Sequence, residues 1–309
     1  MLAFIFPGQG SQSVGMGKDF YDASPAARKV FDAANAALGL DLTRVMFEGP
    51  ESELALTTNT QPAVLTTSVA AAAACAERGL RPALVAGHSL GEYTALVVAG
   101  ALRLEDAVRI VRKRGEFMQQ AVPVGTGAMA AVMGLGIDAV EALCRDAGRG
   151  EVVEVANVNS AVQIVIAGHK PAVERAVALA GERGGKKSVL LPVSAPFHCA
   201  LMKPAAARLA AELAQVTVAD PTIPVVRNVD AGITRAARDV VPFLLSQVAS
   251  PVRWTECVQR LAAEGATAFV EVGPGRVLTA LTRRIVEGAK ALSVEDPASL
   301  DKALAAVTA

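Results

Sequence analysis

The sequence predicts an α/β protein in two parts: a large domain with a mostly parallel sheet, and a smaller βαββαβ domain inserted within it. Three observations carry this. Short apolar runs alternate with amphipathic or alanine-rich segments through residues 2–120 and again through 205–287, the order of a sheet covered on both faces. Between those stretches, residues 128–193 hold six short segments in the order strand, helix, strand, strand, helix, strand. Finally, Gly87-His88-Ser89-Leu90-Gly91 lies between an apolar run and a helical stretch, the strand-turn-helix setting of a nucleophile elbow.

Leu2–Phe6 reads as the first strand, and Pro7-Gly8-Gln9-Gly10-Ser11-Gln12 as the turn that ends it. This glycine-rich turn does not fit a nucleotide signature. The third glycine of the dinucleotide fingerprint is replaced by Ser13, and Gly10 and Gly15 are followed by Met16 where a phosphate loop needs lysine. Two readings are left: an ordinary tight turn, or one that brings backbone and the Gln9 amide to a reacting centre as a second oxyanion donor. Residues 25–38 and 62–77 are alanine-rich and predict helices, with Pro25 and Pro62 near their starts. Residues 83–86 predict a buried strand and 92–99 a helix. Between them, Gly87 and Gly91 let the backbone turn sharply and keep β-carbons away from Ser89, whose hydroxyl then projects at the helix N-terminus. The unpaired N–H groups there favour an oxyanion, and Leu90 N–H is the natural donor.

Residues 104–118 carry apolar side chains at 104, 107, 108, 111 and 118, a helical stripe. Arg109 and Lys113 lie opposite the stripe, Arg112 to its side, and Arg114 on its edge. A cation on a core-facing edge needs a partner, because desolvating it alone is costly. Arg114 is therefore either a structural ion pair or a snorkelling stem, or a guanidinium fixed to grip a substrate carboxylate through two parallel hydrogen bonds.

After Gly125 the compact pattern begins: strands at 128–133, 152–157, 162–167 and 188–193, with helices at 137–147 and 171–182. This is the ferredoxin-like order, expected to occupy 126–192 as a small domain, with 1–125 and 193–309 forming the large, α/β-hydrolase-like one. His169 reads as a solvated loop residue. The insert ends in Ser194-Ala195-Pro196-Phe197-His198, and a histidine held by a proline-containing turn at a domain junction faces a cleft, so His198 is the candidate base for Ser89. His88 adjoins the nucleophile, and neighbouring side chains diverge, so it reads as a packing residue. Beyond it lie a helix at 205–214, a strand at 223–228, a segment at 242–248 ending in a turn that contains Gln247, a helix at 254–264, the strand Ala268–Val272, and a glycine turn into a helix at 277–287.

Composition excludes several classes of function. The chain has 309 residues, 52% hydrophobic and 19% charged, enough for one large core with a satellite. Thirty basic residues balance thirty acidic ones with no dense basic block, so neither nucleic acid nor an anionic membrane is an expected partner. The N-terminus lacks a charged leader, and the longest apolar stretch, 62–76, is broken by Thr66, Thr67 and Ser68; a soluble, cytoplasmic protein is expected. Cys75, Cys144, Cys199 and Cys257 are far apart and read as reduced thiols. Three histidines in all argue against a metal site. Balanced charge and the lack of an exposed apolar run fit a monomer.

Five segments, Phe6 through Gln12, Gly87-His88-Ser89-Leu90-Gly91-Glu92-Tyr93, Arg114-Gly115-Glu116-Phe117-Met118, Ser194 through His198 and Glu271 through Gly275, occur in one order. In these the chain resembles the malonyl-CoA:acyl-carrier-protein transacylases of bacterial fatty-acid synthesis, over nearly its whole length. The resemblance implies a Ser89–His198 dyad, with His198 oriented by a backbone carbonyl near Gln247 instead of an aspartate. It implies an oxyanion hole from the N–H groups of Gln9 and Leu90, and Arg114 on the malonyl carboxylate. Asn157 and Asn159 match positions near the acyl group. It further implies malonyl-CoA and holo acyl carrier protein as partners and no bound cofactor, since the thioester is a substrate and the phosphopantetheine belongs to the carrier.

Three rivals stand beside this expectation. A serine esterase or thioesterase shares the elbow, but hydrolases of that fold put an acid between the serine and a histidine near the C-terminus, whereas His198 lies far from it. A stand-alone acyltransferase loading polyketide synthase carriers has the same chemistry and a different carrier. A non-catalytic scaffold would have no use for Ser89, His198 and Arg114 together.

Overall fold

Alternating side chains along the first strand set up the layers. Phe4 and Phe6 enter one core and Ala3 and Ile5 another, so both faces of the strand are buried. The strand is β1 (Leu2–Phe6) of the computed structural model, which describes residues 1–193 and 195–308. Ser194, the first residue of the 194–198 motif, lies outside the described residues.

From β1 the chain runs through α1 (Lys18–Ala23), α2 (Pro25–Leu38), α3 (Leu42–Glu48), α4 (Glu51–Leu54) and α5 (Thr57–Glu77) before β2 (Leu84–Gly87). Ser24 and Asp41 cap α2 and α3, their side chains accepting from Ala27 N at 3.1 Å and Arg44 N at 3.0 Å. After β2 come α6 (Leu90–Val98) and α7 (Leu104–Gln120). The next elements are β3 (Gly127–Met133), α8 (Ile137–Gly148), β4 (Val153–Ser160), β5 (Gln163–His169), α9 (Lys170–Glu182) and β6 (Lys187–Leu190). The chain continues through α10 (Lys203–Leu213), β7 (Val225–Val226), β8 (Ile233–Thr234), α11 (Ala237–Val248) and α12 (Trp254–Ala263). It ends with β9 (Ala268–Val272), α13 (Val277–Ile285), β10 (Lys290–Val294) and α14 (Pro297–Thr308).

The fold is α/β, with one mostly parallel sheet and one antiparallel sheet. The first has six strands in the order β10-β9-β1-β2-β7-β8, all neighbours parallel except β7 and β8. The second has the order β4-β5-β3-β6, every neighbour antiparallel, and α8 and α9 bury Val140, Leu143, Val173 and Ala176 with its strands in a separate core. That is the ferredoxin-like arrangement. β4 is stitched to the segment before α12: Val252 N donates to Ala156 O and Val158 N donates to Val252 O, both at 2.9 Å. The stitch ties Asn157 to the segment that leads into α12.

Several boundaries differ from the sequence reading. The helix expected from 62 begins at Thr57, which leaves Pro62 inside it. The apolar run starts at 62, but the upstream turn buries Thr60 and Gln61, polar residues that periodicity cannot register. Likewise Gln247 lies in the last turn of α11, which starts at Ala237, and not in a loop. His169 ends β5 half-buried, its Nδ1 accepting from Val152 N at 3.0 Å, and is not a free loop residue. β10 and α14 extend the fold beyond the last element expected, β10 pairing with β9 along its full length.

The parallel pairing of β1 and β2 brings α6 hard against the end of β1. A β-carbon at Gly91 would sit 2.1 Å from Phe6 O, and one at Gly87 1.8 Å from the Gly91 backbone. Substituting Gly91 with alanine is expected to destabilise the protein by about 3 kcal/mol or more, because backbone has no room to give. Urea unfolding of Gly91→Ala against the parent checks it.

Candidate active site

Several chain segments converge at the carboxyl ends of β1, β2 and β7, where open parallel sheets place their ligands. β2 delivers the chain to Ser89, and α6 begins at the next residue. Ser89 has φ 51° and ψ −104°, a backbone conformation that costs an L-residue about 1–3 kcal/mol. Asn228, fully buried just beyond β7, holds the turn closed. Its Oδ1 accepts from Ser89 N at 2.7 Å, and its Nδ2 donates to Gly87 O at 2.7 Å. The second and third N–H groups of the helix, those of Gly91 and Glu92, donate to His88 O and Ser89 O.

Ser89 Oγ lies 2.7 Å from His198 Nε2. His198 Nδ1 lies 3.0 Å from Gln247 O, and since a carbonyl only accepts, the proton sits on Nδ1 and Nε2 presents a lone pair to the Ser89 hydroxyl. His198 also carries a positive φ of 62°, so both members of the pair are held against local preference. Burial first, and then the Arg114 charge, push the imidazole down from 6.5 to about 3, leaving it neutral near pH 7.

Of the four basic residues on α7, Arg109 and Lys113 are exposed, Arg112 is half-buried and Arg114 is 2% exposed. The Arg114 guanidinium donates from Nη1 to Gln61 Oε1 at 2.8 Å, and from Nη2 to Ser89 Oγ at 3.0 Å and Gln247 Oε1 at 2.9 Å. It lies 5.4 Å from the Tyr93 ring centroid. Its Nε has no hydrogen-bond partner among the described residues. A buried cation thus faces the Ser89 hydroxyl with neutral amides around it and, among the described residues, no carboxylate in contact.

A cleft of about 420 Å³ opens above these groups, lined by Gln9, Ser89, Leu90, Arg114, Asn157 and His198 among others. Gln9 reaches it from the turn after β1, its side chain donating to Thr57 Oγ1 at 3.2 Å. Gly8 lets that turn close, since a β-carbon there would meet His88 O at 2.5 Å. The two asparagines of β4 part company. Asn157 is buried at the cleft wall, whereas Asn159 Oδ1 is bonded to His88 Nε2 at 2.9 Å, in the adjoining hollow beside Leu278 and Leu281. His88 packs on Trp254 with ring centroids 5.5 Å apart.

Three site residues escaped the sequence reading: Gln61, Asn228 and Glu92. Glu92, directly after the elbow, carried a signal, being a carboxylate at the first turn of an otherwise apolar helix. Gln61 and Asn228 are single polar residues in ordinary contexts, and only their burial marks them. Among the described residues, no group of three or more His, Cys, Asp or Glu is arranged to hold a metal ion, and no helix is long and apolar enough to cross a membrane.

A nucleophile elbow and a neutral histidine on its serine, carried on a two-sheet α/β scaffold, fit an acyl-transfer enzyme, and residues 3–300 match the acyl transferase domain family, to which the chain belongs. Within that family it is 50% identical to the malonyl CoA-acyl carrier protein transacylase of Salmonella typhimurium, over 304 residues covering 98% of each chain. Among solved structures, the acyl-carrier-protein S-malonyltransferase of Burkholderia pseudomallei 1710b superposes with a TM-score of 0.96 at 50% identity, covering 98% of this chain and 99% of that one. A malonyl-transacylase solved in complex with its type II polyketide synthase acyl-carrier protein matches with a TM-score of 0.96 at 46% identity, covering 99% of both chains.

Removing the Asn228 side chain leaves Ser89 N–H and Gly87 C=O unpaired inside the elbow. Asn228→Ala is expected to cost about 2–4 kcal/mol of stability, read by urea unfolding, and to lower acyltransferase activity more than any loss of folded protein accounts for.

Proposed function

We propose that this chain transfers the malonyl group from malonyl-CoA to the phosphopantetheine thiol of holo acyl carrier protein, through a malonyl ester on Ser89. His198 Nε2 takes the Ser89 proton as Oγ attacks the thioester carbonyl. The N–H groups of Gln9 and Leu90 receive the developing oxyanion. The C–S bond then breaks and the departing coenzyme A thiolate takes the proton from His198. The carrier thiol gives its proton to His198 and attacks the ester carbonyl; the C–O bond then breaks, and His198 returns the proton to the departing Ser89 Oγ. Arg114 grips the malonyl carboxylate, Asn157 lines the cleft from the smaller sheet, and Asn159 acts on the site only through His88. A neutral dyad suffices because a thiolate is a good leaving group. The scheme needs no bound cofactor.

The observation that carries the malonyl reading is the Arg114 guanidinium, buried beside Ser89 with, among the described residues, no partner for its Nε–H and no carboxylate against it. A neutral acyl group would leave that charge uncompensated; a carboxylate supplies the missing anion. This speaks against a general serine hydrolase. The related polyketide carrier complex favours one second reading, the same transfer to a polyketide synthase carrier. We further read the protein as a cytoplasmic monomer, with residues 126–192 as an inserted small domain and 1–125 and 193–309 as the large one.

Brief mixing with malonyl-CoA is expected to add one malonyl group to the protein by intact-mass spectrometry, to add none to Ser89→Ala, and to lose it on addition of holo carrier. Loss of the adduct to water at one rate with or without carrier would instead make the protein a hydrolase. Arg114→Ala is expected to lower malonyl loading by about 100-fold, with much less effect on acetyl loading.

The pH dependence follows from the direction of the His198 shift. A base must be neutral to work, and a lowered pKa keeps it neutral to lower pH, so the acid limb of kcat/KM is expected well below 6.5. A limb at or above 6.5 would mean that His198 is not the group whose protonation stops the reaction.

A further inference from the structure

Among the described residues, Glu92 is the one buried carboxylate that shares hydrogen-bond partners with Ser89 and Arg114. It is 3% exposed, three residues past the nucleophile in the first turn of α6. Its Oε2 accepts from Gln247 Nε2 at 2.7 Å and from Asn228 N at 3.1 Å. The nearby cation, Arg114, does not pair with it: its hydrogen bonds go to Gln61, Ser89 and Gln247.

The Gln247 amide stands between the two charges. Its Oε1 accepts from Arg114, and its Nε2 donates to Glu92 and to Ser89 O at 2.9 Å. A side-chain amide turned end for end keeps its shape, so something must choose its direction. Glu92 Oε2 already accepts the Asn228 N–H, and the Arg114 guanidinium can only donate, so their opposite demands leave a single orientation.

We propose that Glu92 is a positioning residue for acyl transfer: through the Gln247 amide it holds the Arg114 guanidinium toward the acyl group while leaving it unpaired for the acyl carboxylate. A carboxylate in direct contact would neutralise Arg114 and compete with that acyl group. One placed an amide away steadies the cation without occupying it. The proposal rests on the reading of Arg114 given above. Both hydrogen bonds use one oxygen, so the geometry asks for an acceptor and not for a charge. Burial, which pushes the Glu92 carboxyl up to about 7, accords with that. Glutamine at this position should therefore serve, whereas an apolar side chain of the same length should not.

The test measures Ser89 acylation from malonyl-CoA and from acetyl-CoA by quenched intact-mass spectrometry in the parent, Glu92→Gln, Glu92→Met and Arg114→Ala. Glu92→Met is expected to lose about tenfold of the malonyl-over-acetyl preference, through the malonyl rate, while Glu92→Gln stays within about threefold of the parent. Equal losses for both thioesters in Glu92→Met, or a loss of preference in Glu92→Gln as large as in Glu92→Met, would overturn the proposal. If Glu92→Met does not fold, Glu92→Asp takes its place, since it keeps the charge but withdraws the oxygen by one methylene; the same selective malonyl loss is expected. Arg114→Ala separates the two ideas. If it leaves the preference intact, the reading of Arg114 fails; if it abolishes the preference and the Glu92 variants do not lower it, only the role of Glu92 fails.

Discussion

The turn at Ser89 is the constraint on which the rest of the structure depends. A serine at φ 51° is held out of its preferred conformation, and the chain around it has space for a hydrogen where most residues have a β-carbon. Three neighbouring strands make this possible. β1 presses its last carbonyl against Gly91, β2 delivers Gly87, and the segment after β7 brings Asn228 to bond both sides of the turn. The order β1-β2-β7 is therefore more than scaffolding, because each strand end supplies something the serine needs.

Electrostatics inside the site follow from the same enclosure. His198 and Arg114 are both nearly inaccessible, and a cation beside an imidazole keeps the imidazole neutral. The arrangement leaves the imidazole neutral near pH 7 without an aspartate behind it, since the Gln247 carbonyl already fixes the tautomer. Gln247 is the common member of these contacts. Its backbone orients the histidine, its side-chain oxygen takes the arginine, and its nitrogen reaches both the Ser89 carbonyl and Glu92.

Much of this could be read along the chain where the signal is local. Strand, turn and helix around Gly87 through Gly91 are adjacent in sequence, so their pattern was legible. The βαββαβ order of the second sheet was legible too, as short elements in unbroken succession. Arg114 stood out because a 3.6-residue period puts it on the buried edge of α7. Helix starts were less legible. α5 begins on polar residues and α11 on an unremarkable stretch, so neither Gln61 nor the helical setting of Gln247 had a local mark. β10 lies outermost in the sheet, where pairing with β9 decides its conformation more than its own composition does.

The sequence by itself determined the class of fold, the elbow, and the buried edge of α7 that carries Arg114, because each rests on spacing within a few turns of chain. The tertiary structure alone decided how they meet. Ser89 and His198 are 109 residues apart and Arg114 and Gln247 are 133 apart, and their contacts follow from strand order and helix packing. It also divided the pair Asn157 and Asn159 between the cleft and His88, which two residues on one strand do not reveal. The physical reason is that a hydrogen bond acts over about 3 Å, and only packing brings side chains from distant elements to that range.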